Sequence, residues 1–211
     1  MAEAKPFAEV AARLRDGRRI LVAGCGGCVA VCQAGGEHEA QTLAEGIRLW
    51  GGKQGRVLEA MATAVPRQCE PEWVDSLREA VAQADAVVSL GCGVGVGFPA
   101  EAFPQACVIP GLNTIFGGGT VSPGVFEERC AFCGDCVLAD TAGICPVSRC
   151  AKRLANGLCG GSSDGRCEIS SDLPCAWQMI CERLAAFTPP KDWSRAENGG
   201  PRRIRREDLF V

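Results

Sequence analysis

Nine of the fifteen cysteines fall between positions 130 and 181, at 130, 133, 136, 145, 150, 159, 167, 175 and 181. That segment holds few large apolar side chains. Cross-linking, by disulfides or by metal, is then expected to do what core packing does elsewhere. The other six cysteines, at 25, 28, 32, 69, 92 and 107, are spread through the first 129 residues. Compartment decides between the two kinds of cross-link. The opening stretch MAEAKPFAEVAARLRDGRR carries Glu3 and Glu9 and no continuous apolar core, so it does not read as a secretion signal. An odd number of cysteines leaves one thiol over in any disulfide scheme. No run of apolar residues is long enough to span a membrane. The expectation is a cytoplasmic protein that uses its thiolates as ligands.

The first part of the 211-residue chain alternates strand-like and helix-like patterns. Phe7, Val10, Ala11 and Leu14 have helical spacing, and Arg19–Ala23 is a short apolar run ahead of Gly24. Glu37–Trp50 is amphipathic and meets Gly51-Gly52. A strand is expected to start at Arg56, and a helix from Pro71 to about Ala84. Ala86–Leu90 and Ala106–Ile109 are further apolar runs. This alternation predicts an α/β fold with a small parallel, Rossmann-like sheet. An irregular Cys-rich metal-binding segment should follow it, and then a C-terminal helix over Pro174–Phe187, with Trp177, Ile180, Cys181 and Leu184 along one face. The expected domains are 1–116 (α/β, with an N-terminal cysteine site), 117–188 (the Cys-rich module) and 189–211 (a polar, partly basic tail). Gly111–Gly124 reads as a linker or ordered loop. A net charge of −3 argues against nucleic acid as a partner.

Two constellations carry the chemistry. Cys25-Gly-Gly-Cys28-Val-Ala-Val-Cys32 directly follows the first long strand, giving three thiolates in one tight loop, one short of a cubane's four. The fourth is expected from Cys92, flanked by Gly91 and Gly93, with Cys69 as the rival, because parallel sheets gather their sites at the carboxyl ends of strands. Cys130-Ala-Phe-Cys133-Gly-Asp-Cys136 opens as ferredoxin-type ligation does, and Cys145-Pro146 echoes its close, although eight residues rather than three separate Cys136 from Cys145. With Cys150, Cys159, Cys167 and Cys175 the segment offers eight ligands. These suit two 4Fe–4S clusters, one cluster plus a zinc, or zinc alone. Cys107 and Cys181 are expected in the core, and His38, the single histidine, in a capping or exposed role. No Walker loop and no Ser–His–Asp set is present.

Gly24-Cys-Gly-Gly-Cys28, Arg67-Gln-Cys-Glu70, Cys92-Gly-Val-Gly-Val96 and Asn113-Thr114 resemble the MetV-type small subunit of bacterial methylenetetrahydrofolate reductase. Glu128-Arg-Cys130, Gly143-Ile-Cys-Pro146, Cys150-Ala-Lys152, Cys159-Gly-Gly161 and Cys175-Ala-Trp177 resemble the same family's Cys-rich C-terminal domain. The similarity spans about residues 19–193, with Leu158 standing where a proline is expected. It implies a non-catalytic subunit carrying one to three 4Fe–4S clusters, with zinc as the alternative metal. Such a subunit passes electrons to the flavin of a TIM-barrel catalytic partner in one-carbon metabolism, and further electron-donor subunits fit the same scheme. A zinc-stabilised scaffold of the same complex, without electron transfer, is the second reading.

Overall fold

The structure is a computed structural model that describes residues 1–14 and 17–186. The tail expected from residue 189 lies outside these residues. The chain divides into two compact units, Met1–Ile115 and Phe116–Val211.

The first unit runs β1 (Ala2–Ala4), α1 (Phe7–Ala11), β2 (Arg19–Cys25), α2 (Cys28–Val31), α3 (Glu37–Lys53), β3 (Glu59–Val65), α4 (Pro71–Asp75), α5 (Arg78–Gln83), β4 (Ala86–Ser89), α6 (Gly93–Ala102), β5 (Val108–Pro110) and β6 (Leu112–Thr114). Strands β2 to β5 form a four-stranded parallel sheet in the order β3-β2-β4-β5. The α/β architecture with a parallel sheet is therefore present. Along β2, side chains alternate between two faces, as the period of two in a strand requires. Ile20 and Val22 join Val10, Leu14, Ala40, Ala44 and Ile47 from α1, the turn after it and α3. Leu21 and Ala23 join Val74, Leu77, Val81 and Phe103 on the opposite face. Helices cover both faces, which is why β2 and β4 read as continuous apolar runs. Each fully buried Ile, Leu or Val contributes about 1.5–3 kcal/mol.

Several elements depart from the sequence expectation. The strand expected at Arg56 begins at Glu59, after Gly55 turns the chain at φ +70°. The helix expected over 71–84 is two helices, because the Ser76 hydroxyl donates to the Trp73 carbonyl and closes the first early. The 111–124 stretch, expected as a linker or ordered loop, contains β6, paired antiparallel with β1, and β7. Glycine-rich Gly93–Ala102 is a helix containing Pro99, against its intrinsic propensity. Glycine serves packing there: a Cβ on Gly91 would lie 2.9 Å from the Gly95 carbonyl carbon, and one on Gly95 would lie 3.3 Å from Gln68 Cβ.

Asp85, just ahead of β4, ties the starts of two strands together. Its Oδ2 accepts the Arg18 and Arg19 backbone N–H groups, each at 2.9 Å, and its Oδ1 accepts Arg19 Nη2 at 2.8 Å. These bonds, the Arg19 side chain foremost, hold the carboxyl far below the usual carboxylate range. A depressed folded pKa gives stability that is present above the unfolded value, about 3.9, and lost as pH falls through the folded value. We expect the stability difference between wild type and Asp85→Asn, measured by urea unfolding, to be constant near neutrality. It should shrink below about pH 4. A difference that stays unchanged into acid would refute this role.

The second unit holds β7 (Gly117–Ser122), β8 (Val125–Cys130), α7 (Pro146–Arg149), β9 (Arg166–Cys167), β10 (Ser170–Pro174) and α8 (Ala176–Ala186). Two antiparallel hairpins, β7–β8 and β9–β10, and the C-terminal helix α8 are its regular parts. Gly124, at φ +75°, turns the first hairpin after Pro123. Buried apolar residues are few here, Ala176 and Ile180 among them. Cys181 faces out of α8, and Cys107, ahead of β5, is exposed, so neither belongs to a core. No helix among the described residues is long and apolar enough to cross a membrane.

Candidate functional site

The carboxyl ends of β2 and β4 converge where the strand order reverses, the usual place for a site in an open parallel sheet. Cys25 is the last residue of β2 and is buried. Its backbone N–H donates to Gly35 O at 2.8 Å, and the next N–H, of Gly26, donates to Val65 O at 2.8 Å, so the strand end is pinned on both sides. Cys28 begins α2, and Cys92 sits at the N-cap of α6. Burial pushes the Cys28 thiol up, and the neighbouring Cys92 and Cys25 thiols add to the shift. Cys28 is thus within electrostatic reach of both Cys25 and Cys92. Cys32 turns elsewhere: its Sγ donates to Cys28 O at 3.2 Å and lies 3.7 Å from Met1 Sδ. Cys69 is half-buried beside Gln68, in the loop before α4.

Gln68, which is not among the residues expected from the sequence to form a site, organises this edge. Its side chain is fully buried. Nε2 donates to Ala23 O at 2.7 Å and to Gly24 O at 3.0 Å. Oε1 accepts the Ser89 hydroxyl at 2.5 Å, and that hydroxyl oxygen accepts the Gly91 N–H. The Gln68 backbone N–H donates to Cys25 Sγ at 3.5 Å. The Gln68 side chain therefore fastens the ends of β2 and β4 to each other, and its backbone N–H holds the Cys25 thiol beside them. The only sequence signal was its place inside Arg67-Gln-Cys-Glu70.

In the second unit Cys130, Cys133 and Cys136 are all exposed. Cys130 Sγ accepts the Phe132 N–H, while Cys133 Sγ donates to Asp135 O, each a bond local to the loop. Cys145 caps α7 and is half-buried. Cys150, Cys159, Cys167 and Cys175 border one recess of about 20 Å³, together with the paired side chains of Lys152 and Glu168. Cys159 Sγ accepts the Gly161 N–H at 3.4 Å. That bond, followed by the Lys152 charge, holds its thiol below the ordinary range.

The expected metal centres are not met. Among the described residues no group of three or more His, Cys, Asp or Glu side chains is arranged to hold a metal ion. All fifteen cysteines are free thiols. The assignment of one to three 4Fe–4S clusters, or of zinc, is corrected accordingly. Spacing along the chain does not by itself turn sulfurs to a common point: Cys25, Cys32, Cys130, Cys133 and Cys159 each bond a backbone group where they lie. The recess that four thiols border in the second unit has room for about one water molecule.

No curated protein and no solved structure matches the chain. Residues 109–198 match the protein family described as methylene-tetrahydrofolate reductase C terminal.

Proposed function

We propose that the chain is a non-catalytic component of a cytoplasmic methylenetetrahydrofolate reductase assembly. It docks a flavin-bearing catalytic subunit and couples that subunit to its electron donor in one-carbon metabolism. The match of residues 109–198 carries this reading. The surface of the second unit supports it: Phe132 is 77% exposed and Leu158, Ile169, Val125 and Leu173 are exposed as well. A small unit that leaves this much apolar surface in water is suited to covering by a partner. The contribution is that of an adaptor.

Co-expression with the flavin-bearing subunit tests the reading. The two chains are expected to co-purify, and donor-driven folate reduction is expected only with both present. Phe132→Asp places a charge in the contact and should weaken association about tenfold or more. Folate reduction by the isolated chain, or failure of the two chains to associate, would refute the proposal.

A further inference from the structure

A cleft of about 490 Å³ lies in the first unit, against α1, α3 and the carboxyl ends of β4 and β5. Its size falls in the range of small-molecule sites. It opens at the sheet's switch point. Gln33 and Ala34 come from the loop after β2, Leu90 follows β4, and Gly111 follows β5. Nothing in the function proposed above uses it.

We propose that this cleft binds a neutral, planar nitrogen heterocycle of nucleobase size. Phe7, Val10, Leu43 and Leu90 give it an apolar floor and one aromatic ring. The Phe7 ring is held edge-on to Trp50, with centroids 6.2 Å apart, so it is a fixed wall. Three side chains able to donate and accept hydrogen bonds line the same space: Gln33, His38 and Thr42. None has a side-chain partner among the described residues. Gln33 sits at φ +54°, a conformation a non-glycine residue adopts at some cost and one that recurs at ligand sites. Donors and acceptors around an apolar floor suit the edge and face of a heteroaromatic ring.

The charges present argue against an anion. Lys5 at the rim is committed to Glu9 at 2.6 Å. The Glu39 carboxylate already accepts the Gly36 N–H at 2.8 Å, so the positive end of α3 has its counter-charge built in. A phosphate would meet a carboxylate there instead of free N–H groups.

Gly46 gives a clean test. It lines the cleft from within α3, and a Cβ placed on it would meet only Phe7 Cε2, at 3.6 Å. Gly46→Leu should fill the cleft while raising helix propensity, so the variant is expected to fold at least as stably as wild type. Guanosine, biopterin, adenosine 5′-monophosphate and indole would be titrated calorimetrically into the full chain, with thermal unfolding as the folding control. Guanosine or biopterin is expected to bind, and which of them binds identifies the source of the ring. Gly46→Leu should weaken that binding by about tenfold or more. His38→Leu should weaken the heterocycle but not indole. Absence of binding by both heterocycles at about 1 mM would overturn the proposal. So would equal binding by folded Gly46→Leu, equal binding of indole by wild type, or adenosine 5′-monophosphate binding far more tightly than either heterocycle.

Discussion

Gln68→Leu is expected to destabilise the first unit by about 3 kcal/mol, because it removes one amide that satisfies several buried groups at once. Leucine has nearly the same volume, so little of the loss comes from a cavity. What remains is polar. The Ser89 hydroxyl loses its acceptor and Gly24 O, which lies in the β2–β3 ladder, loses the Nε2 donor, and both stay buried. Ala23 O suffers less, since it still accepts the Leu90 N–H at 2.8 Å. Each orphaned buried group costs about 1–3 kcal/mol. For a unit of this size the melting temperature should fall by about 10–20 °C. Ser89→Ala should cost less, because it removes two bonds, the one to Gln68 Oε1 and the one from the Gly91 N–H, where Gln68→Leu removes three. The double variant should cost less than the sum of the two singles, since one mismatched pair then disappears from both sides. Cys25 supplies a second readout. It is 7% exposed in the native fold, so its alkylation should be slow in wild type and faster in Gln68→Leu. If Gln68→Leu unfolds at the wild-type urea concentration and leaves Cys25 protected, the amide does not organise this edge.

Gln68 also shows what kind of information the sequence carries. Its partners lie 21 to 45 residues away along the chain, so no local pattern marks it. Strands β2 and β4 were legible because burial on both faces leaves an unbroken apolar run, and α3 because Ala40, Ala44 and Ile47 repeat at helical spacing on its buried side. Trp50, at the end of that amphipathic stretch, is only half-buried and packs at the core's margin. Helix α6 was illegible for the opposite reason. Its glycines look like turn residues locally, and only the close approach of Gly91, Gly95 and Gln68 explains them. The cysteines were the most visible feature and the most misleading one. Spacing counts thiols along a chain, but it says nothing about where each sulfur points in the fold. Cys130 and Cys133 illustrate this, each bonded within two residues of itself.

Gly35→Ala is expected to be as damaging as the loss of Gln68, through contact instead of unpaired polarity. A Cβ at position 35 would stand 2.2 Å from the Leu90 carbonyl oxygen and 2.9 Å from both Leu112 Cδ1 and Val29 Cγ2. The two side-chain ends could turn away, but the carbonyl belongs to the backbone leaving β4. Gly35 cannot retreat freely either, because its own carbonyl accepts the Cys25 N–H at 2.8 Å and its N–H donates to Val29 O at 3.2 Å. Relief therefore requires either moving the end of β4 or giving up the bond that pins the end of β2. Overpacking of this kind costs about 1–3 kcal/mol, and a lost buried hydrogen bond adds about 1 kcal/mol. The sum, about 3 kcal/mol, should appear as a lower urea midpoint with an unchanged slope. Gly52→Ala is the matched control. A Cβ there meets nothing within 4 Å, and the residue lies inside α3, so the same added methyl should stabilise by up to about 1 kcal/mol. Opposite signs for the two glycines would show that the approach of the 35 backbone to Leu90, and not glycine flexibility in general, holds the ends of β2 and β4 in register. Equal and small effects at both positions would mean that the strand ends yield, and that the thiol-bearing edge is softer than its hydrogen bonds imply.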